Sequence, residues 1–563
     1  MFRFNTDPDR AEAEMQAIVF YLTTFGYVDG DFDSKERAFV RGFIEKLVRI
    51  RAESALRGQD EALKNEAIRK YTTHFEEVFS GIDTRIQDLL SEPVGKDEDP
   101  KNFVQTKLKL RCFELFRTFN RASQEALLSA IDELLLADGD SHPAELKFRA
   151  ELATLLEQDA DLMIAEEEPS TLRMNLRAPE TGLAPPRNHP FFMHSEVHFS
   201  KVPSEIEKQI ATDRHLLDRA IALWTAASDA GKGKLKGIKS FDDLERTKPG
   251  SFTDGHVQFF ELDPKTRYEL LVLGDLHGCY SVLKAALLQS HFFEKVDAYK
   301  ADPSKPRPHL VLLGDYIDRG LFSLNGVFRL ALQLYVSAPE FVTVLRGNHE
   351  YYVEYKGDMY GGVKPSESIN SLKPHLSVDV FKHYARAFET MPNSFIVDRM
   401  LMVHAGIPRD RSVREKWQDM STLNDPDIRF QMMWSDPSVA DVVPADLQDK
   451  TARFSFGTLQ LRSFLQRIGC NTLIRGHEKI NEGFQATVRD SHSRLFTLFS
   501  AGGKTNNDLP ANSSYRSVTP MALTLLLEGG AQTFAPWAPN YNDYNDPQYN
   551  AFFRAEPEIE HRA

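Results

Sequence analysis

Apolar positions recur with a helical period through the first part of the chain. Met15, Ile18, Val19, Leu22 and Phe25 fall on one face, and Phe39, Val40, Phe43, Ile44, Leu47 and Val48 on another. Leu128, Ile131, Leu134 and Leu135 define a third face, and Phe148, Leu152 and Leu155 a fourth. Stripes of this kind bury against one another, so residues 1–165 are predicted to form an all-α bundle. A proline-rich stretch follows, from Glu166 to about Val202, and reads as an extended linker. His189, His194 and His198 lie in or near it and read as exposed loop histidines. One more helix is predicted from Pro203 to about Ala227, with Ile206, Ile210, Leu217, Ile221 and Trp224 along one side. AGKGKLKGIK, residues 230–239, lacks phosphate-loop spacing and reads as a flexible basic connector.

From about residue 251 the rhythm changes. Short runs rich in Val, Leu and Ile alternate with helical stretches, the pattern of a layered α/β domain over 251–535. Residues 166–250 are then a linker with one helix, and 536–563 a tail whose aromatic residues are expected to pack on the domain surface.

Five of the strand-like runs end at a metal-capable side chain beside a glycine. Leu271–Leu273 lead into Gly274-Asp275-Leu276-His277-Gly278, and Leu310–Leu313 into Gly314-Asp315-Tyr316-Ile317-Asp318-Arg319-Gly320. Phe341–Leu345 lead into Arg346-Gly347-Asn348-His349-Glu350, Leu401–Val403 into His404-Ala405-Gly406, and Leu473–Ile474 into Arg475-Gly476-His477-Glu478. Sites in layered α/β folds form at the carboxyl ends of strands. The collected ligand set is Asp275, His277, Asp315, Asn348, His404 and His477. Imidazole mixed with carboxylate and amide oxygen suits manganese, iron or zinc. Six side chains exceed the needs of one tetrahedral ion and suit two divalent ions sharing a carboxylate. Such a pair serves hydrolysis at phosphorus. His349 is placed to donate a proton to the leaving oxygen, Asp318 to fix its tautomer, and Arg319 to fork onto phosphate oxygens.

The segments GDLHG, GDYIDRG, RGNHE, HAG and RGHE, in this order, resemble the phosphoprotein phosphatase family of serine/threonine phosphatases over about 265–505. Met433-Trp434-Ser435-Asp436-Pro437 and Phe454-Ser455-Phe456-Gly457 agree with it. The resemblance implies a calcineurin-like metallophosphoesterase fold, a central β-sandwich flanked by helices. It implies that Asp275, His277 and Asp315 hold one metal, and that Asp315, Asn348, His404 and His477 hold the other. His349 would be the general acid supported by Asp318, with Arg319 and Asn348 on the phosphate. The sequence departs from the family in three places. A second phosphate-binding arginine is replaced by Lys450, with Arg453 nearby. Gly502, Gly503 and Lys504 replace Pro-Asn-Tyr, so the tyrosine overhanging the site is missing or its role passes to Tyr515. HAGIP is more similar to the bacterial branch and to dinucleoside tetraphosphatases.

In the helical half, DGDFDSKE and DGDSHPAE form an internal repeat resembling the corners of TerB-like domains. That resemblance implies cation sites at Asp29, Asp31, Asp33 and Glu36, and at Asp138, Asp140, His142 and Glu145. Helix capping is the competing reading. The formal charge of −14 argues against wholesale binding to a nucleic-acid backbone. The absence of any apolar run of about 18 residues argues against a membrane span. Cys112, Cys279 and Cys470 are scattered and odd in number, which points to a reducing, cytoplasmic setting. The expected function is manganese-dependent hydrolysis of phosphate monoesters on phosphoproteins, with the helical domain binding a protein partner. The alternative is a nucleotide or dinucleoside polyphosphate phosphohydrolase.

Overall fold

The computed structural model describes residues 8–28, 32, 34–56, 59–90, 94–95, 98–116, 119, 124, 128, 147–152, 184–489 and 493–562. It divides into two compact units: Met1–Glu167 with Asp446–Thr451, and Glu168–Ala445 with Ala452–Ala563.

In the first unit, helices α1 (Pro8–Gly26), α2 (Ser34–Ala55), α3 (Glu61–Leu90) and α4 (Pro100–Phe116) pack together. All five positions predicted for the α1 face are buried, as are Val40, Ile44, Leu47 and Val48 of α2. Phe39 and Phe43 are half-buried and stack on each other at 5.9 Å. Phe148 and Leu152 are buried too, whereas Ile131, Leu134, Leu135 and Leu155 lie outside the described residues. Among the described residues, no helix is long and apolar enough to cross a membrane.

Twelve strands in two large sheets form the centre of the second unit. They are β1 (Phe252–Asp254), β2 (Val257–Phe260), β3 (Tyr268–Leu273), β4 (Arg307–Leu312), β5 (Val342–Val344) and β6 (Ser394–Val397). Then come β7 (Met400–Val403), β8 (Thr472–Arg475), β9 (Phe484–Arg489), β10 (Arg494–Leu498), β11 (Ala522–Glu528) and β12 (Ala531–Trp537). One sheet runs β12-β11-β3-β4-β5 and the other β9-β10-β8-β7-β6-β2-β1.

Strands β3 to β8 read as nearly continuous apolar runs because both of their faces are covered. Leu270 and Val272 of β3 and Val311 of β4 face inward, where they meet Met400 and Met402 of β7 and Phe496 of β10. The alternate residues Leu271, Leu273, Leu310 and Leu312 face a helical layer outside the first sheet. Leu401, Val403 and Leu473 face a different layer outside the second. A period of two therefore separates three cores, giving a sandwich flanked by helices.

Helix α5 (Pro203–Gly231) belongs to this unit. Its apolar side, Ile206, Ile210, Leu217 and Trp224, joins the outer layer. Asp213 on the same side is buried and takes both arms of Arg329, at 2.7 and 2.9 Å. Residues 230–239, expected as a flexible connector, are instead pinned. Asp254 accepts from the backbone N–H of Gly233 and Leu235, and Asp419 from that of Gly237. Two of the linker histidines, His189 and His198, are half-buried instead of exposed. His189 stacks on Phe293 at 4.2 Å, and His198 Nε2 lies 2.7 Å from the carbonyl of Phe552. In the tail, Tyr544 and Phe552 are buried, with Phe552 stacked on Phe322.

Candidate metal centre

β3, β4 and β5 are parallel, so their carboxyl ends share one edge of their sheet. β7 and β8 are parallel in the other sheet. The two edges meet where Asp275 forms a parallel bridge with Phe499 and Gly274 N–H donates to Ser500 Oγ at 2.9 Å. All six predicted ligands converge there and all are buried.

The donor atoms face one another. His277 Nε2 lies 3.7 Å from Asp275 Oδ2 and 3.5 Å from Asp315 Oδ2. His404 Nε2 lies 3.4 Å from the same Asp315 oxygen. Asn348 Oδ1 is 2.9 Å from His404 Nε2 and 3.1 Å from His477 Nδ1. Asp315 thus stands between two clusters, one with His277 and His349 and one with His404 and His477.

The outer nitrogens fix which ring atom points inward. His277 Nδ1 faces the carbonyl of Ile317 at 2.9 Å, and His404 Nδ1 that of Leu313 at 3.1 Å. Each must donate there, so each Nε2 carries a lone pair into the centre. Without a cation these lone pairs repel, and a rotated Asn348 amide would donate to both imidazoles and to Asp315. Asp275 Oδ2 is buried with no hydrogen bond. Burial pushes the Asp275 carboxyl up to about 7, and the Asp315 carboxyl up to about 8. Burial likewise holds His277 and His477 well below the normal imidazole range, each with cationic neighbours adding to it. Such a set, rich in lone pairs and short of positive charge, fits divalent cations.

Backbone strain gathers at the same place. Ten non-glycine residues among those described have positive φ, and five are His277, Asp315, Asp318, Arg319 and His477. Left-handed backbone at such residues is unfavourable and is held by its surroundings. Glu350 does much of this holding. It accepts backbone N–H from Asp315 at 2.8 Å, Tyr316 at 2.9 Å and Gly347 at 3.0 Å. Glu350 ends the RGNHE run, so the motif contained it, although its role as a loop anchor was not read from the sequence.

His349 Nδ1 lies 2.8 Å from Asp318 Oδ2, while His349 Nε2 is buried without a partner. Burial lowers its pKa first, then the charge of Arg319. Asp318 is also held by Ser368, through its N–H at 2.9 Å and its Oγ at 2.6 Å. Arg453 is buried and donates to Asp436 Oδ2 at 2.8 Å, while Arg475 donates to Asp436 Oδ1 at 2.8 Å. Its positive charge is felt at Asp315, His349 and His477. Lys450 is exposed and lies on the stretch Asp446–Thr451 that groups with the helical unit. The Tyr515 ring lies 5.4 Å from His277 and 5.5 Å from Phe499, so it does border the centre. Of the helical corners, Asp29, Asp31, Asp33, Asp138, Asp140, His142 and Glu145 lie outside the described residues. Glu36 sits in the first turn of α2, where its charge favours the helix dipole.

Residues 268–480 match the family model described as calcineurin-like phosphoesterase. Curated relatives are serine/threonine phosphatases. A probable serine/threonine-protein phosphatase of Encephalitozoon cuniculi (strain GB-M1) is 27% identical over 237 residues, 41% of this chain and 47% of that protein. The serine/threonine-protein phosphatase 6 catalytic subunit of Caenorhabditis elegans is 26% identical over 234 residues, 41% of this chain and 63% of that protein. The chain therefore spans about half to three-fifths of the length of these relatives. A solved Saccharomyces cerevisiae protein serine/threonine phosphatase is 18% identical with a TM-score of 0.37, covering 58% of this chain and 90% of its own.

Proposed function

We propose that this chain is a cytoplasmic serine/threonine phosphoprotein phosphatase using two divalent cations, manganese first among them. The observation that carries the reading is the meeting of six buried ligand side chains from five strand ends beside an Asp318–His349 pair. Asp275, His277 and Asp315 would hold one cation, and Asp315, Asn348, His404 and His477 the other. When bound, such cations ease deprotonation of an attacking water and neutralise charge developing on the phosphoryl group.

The chain's own residues supply the rest. Arg319 and Arg453 orient phosphoryl oxygens by charge-assisted hydrogen bonds. In its doubly protonated form, with Nδ1–H donated to Asp318, His349 presents Nε2–H to the leaving serine or threonine oxygen, gives that proton up and is left as the neutral ring, while Asp318 fixes its orientation. Burial of the pair keeps competing water away. Three free, buried cysteines support a reducing compartment. The HAGIP run supports a bacterial-type enzyme, and the repeated DGDFDSKE and DGDSHPAE segments support a TerB-like module that chooses the phosphoprotein partner.

The test is turnover of a phosphoserine peptide against a diadenosine polyphosphate by the full chain with Mn²⁺. Preference for the peptide supports the proposal. Equal or greater hydrolysis of the dinucleotide would replace it with the nucleotide reading.

A further inference from the structure

Arg319 is committed before any substrate arrives. Its Nη1 donates to Glu367 Oε1 at 2.9 Å, and its backbone N–H faces Glu367 Oε2 at 3.4 Å. The pair is nearly closed to water, with side chains 10% and 8% exposed. Arg319 Nη2 is buried and makes no hydrogen bond. The backbone at this point is strained, with Asp318 at φ 67° and Arg319 at φ 65°.

Glu367 opens the short helix Glu367–Leu372, and the next residue, Ser368, is the one that grips Asp318. One helix start therefore holds the phosphate clamp and the acid pair together. The helix is itself tied down, because Ser371 Oγ accepts from the backbone N–H of Arg562 at 2.8 Å.

Glu367 has two opposed effects on an incoming phosphate. It orients the guanidinium, which favours binding. It also offsets the guanidinium's charge and repels a nearby anion. A buried ion pair is costly to break, so Glu367 does not step aside when phosphate arrives. The phosphate meets a clamp with one occupied edge and one free edge.

We infer that Glu367 is a positioning residue that weakens the hold of Arg319 on phosphate, leaving Nη2 for the phosphoryl oxygens and keeping product phosphate readily released. The inference rests on the phosphatase reading above. Its ligand is a phosphate monoester dianion or inorganic phosphate.

The test uses the full chain loaded with Mn²⁺, with p-nitrophenyl phosphate as substrate and inorganic phosphate as inhibitor. Glu367→Gln keeps an acceptor for Nη1 and removes the charge. It should tighten phosphate inhibition about tenfold and lower KM in parallel. Glu367→Asp, which keeps the charge, should stay within about threefold of the parent. In an Arg319→Ala background, Glu367→Gln should change the inhibition constant less than about twofold. Unchanged or weaker phosphate inhibition in Glu367→Gln would overturn the inference. So would equal tightening without Arg319, or a tenfold tightening in Glu367→Asp. Calorimetric titration of phosphate into the same proteins separates the two readings. If the parent turns over no phosphate ester, the phosphatase reading falls, and the Glu367 assignment stands or falls on the calorimetric order alone.

Discussion

Gly476 is the point at which one added carbon should reach the metal centre. A methyl group there would run into Asp275 Oδ1. That oxygen accepts the backbone N–H of His477 at 2.7 Å, and Asp275 has no exposed surface into which it can rotate. In Gly476→Ala either Asp275 swings away or the loop carrying His477 moves, and both residues are proposed ligands. Losing the charge-assisted hydrogen bond costs about 1.5–3 kcal/mol. In a unit of this size that lowers the unfolding temperature by roughly 2–4 °C or somewhat more. The larger effect is on the cations, whose affinity should fall about 10–100-fold, as for loss of a residue supporting a ligand. Titrating Mn²⁺ into metal-stripped protein, with aryl phosphate turnover as readout, measures it. Thermal unfolding with and without Mn²⁺ gives an independent reading. A variant with the parent's Mn²⁺ dependence would refute the argument that Gly476 is needed for close approach to Asp275.

Gly42 supplies the contrast, since it lies exposed within α2 with open space where a methyl would go. Gly42→Ala should stabilise the protein by about 0.5–1 kcal/mol in chemical denaturation, with turnover unchanged. His349→Ala should leave metal content intact, by elemental analysis, while turnover falls by on the order of 10²–10⁴. Loss of the metals would instead show that His349 is a ligand. His309 lies buried in β4, its Nε2 2.9 Å from Thr343 Oγ1, and burial followed by the Arg307 charge lowers its pKa to about 3. Its unfolded-state value is the higher one, so the stability it contributes is whole above about pH 6.5 and is lost as pH falls toward 3. His309→Gln should therefore flatten the acid limb of the stability curve, by about 2 kcal/mol between pH 7 and pH 5. An unchanged limb in urea denaturation would show that His309 is protonated in the folded state.

Much of the site was legible because its chemistry is local in the chain. Each ligand sits within a few residues of a strand end, and the neighbouring glycines mark where backbone must come close. The apolar runs gave the sandwich for a similar reason, since a strand covered on both faces carries no polar alternation. Local composition misled at residues 230–239. Glycine and lysine suggested a free connector, while the carboxylates that pin it, Asp254 and Asp419, lie far along the chain. The reading of His189 and His198 failed likewise, because a ring partner such as Phe293 leaves no trace at His189 itself.

By itself the sequence determined which side chains are candidate ligands, that His349 stands beside them, and the layering of the second half, because side-chain type and spacing encode these directly. Only the tertiary structure decided which imidazole nitrogens face inward, that Glu350 ties two ligand loops together, and that Arg453 approaches the centre. It alone paired Arg319 with Glu367, 48 residues away. Those contacts join segments remote in sequence, some along the edge of one sheet, as for Glu350 with Asp315, and some between the two sheets, as for His404 with Leu313.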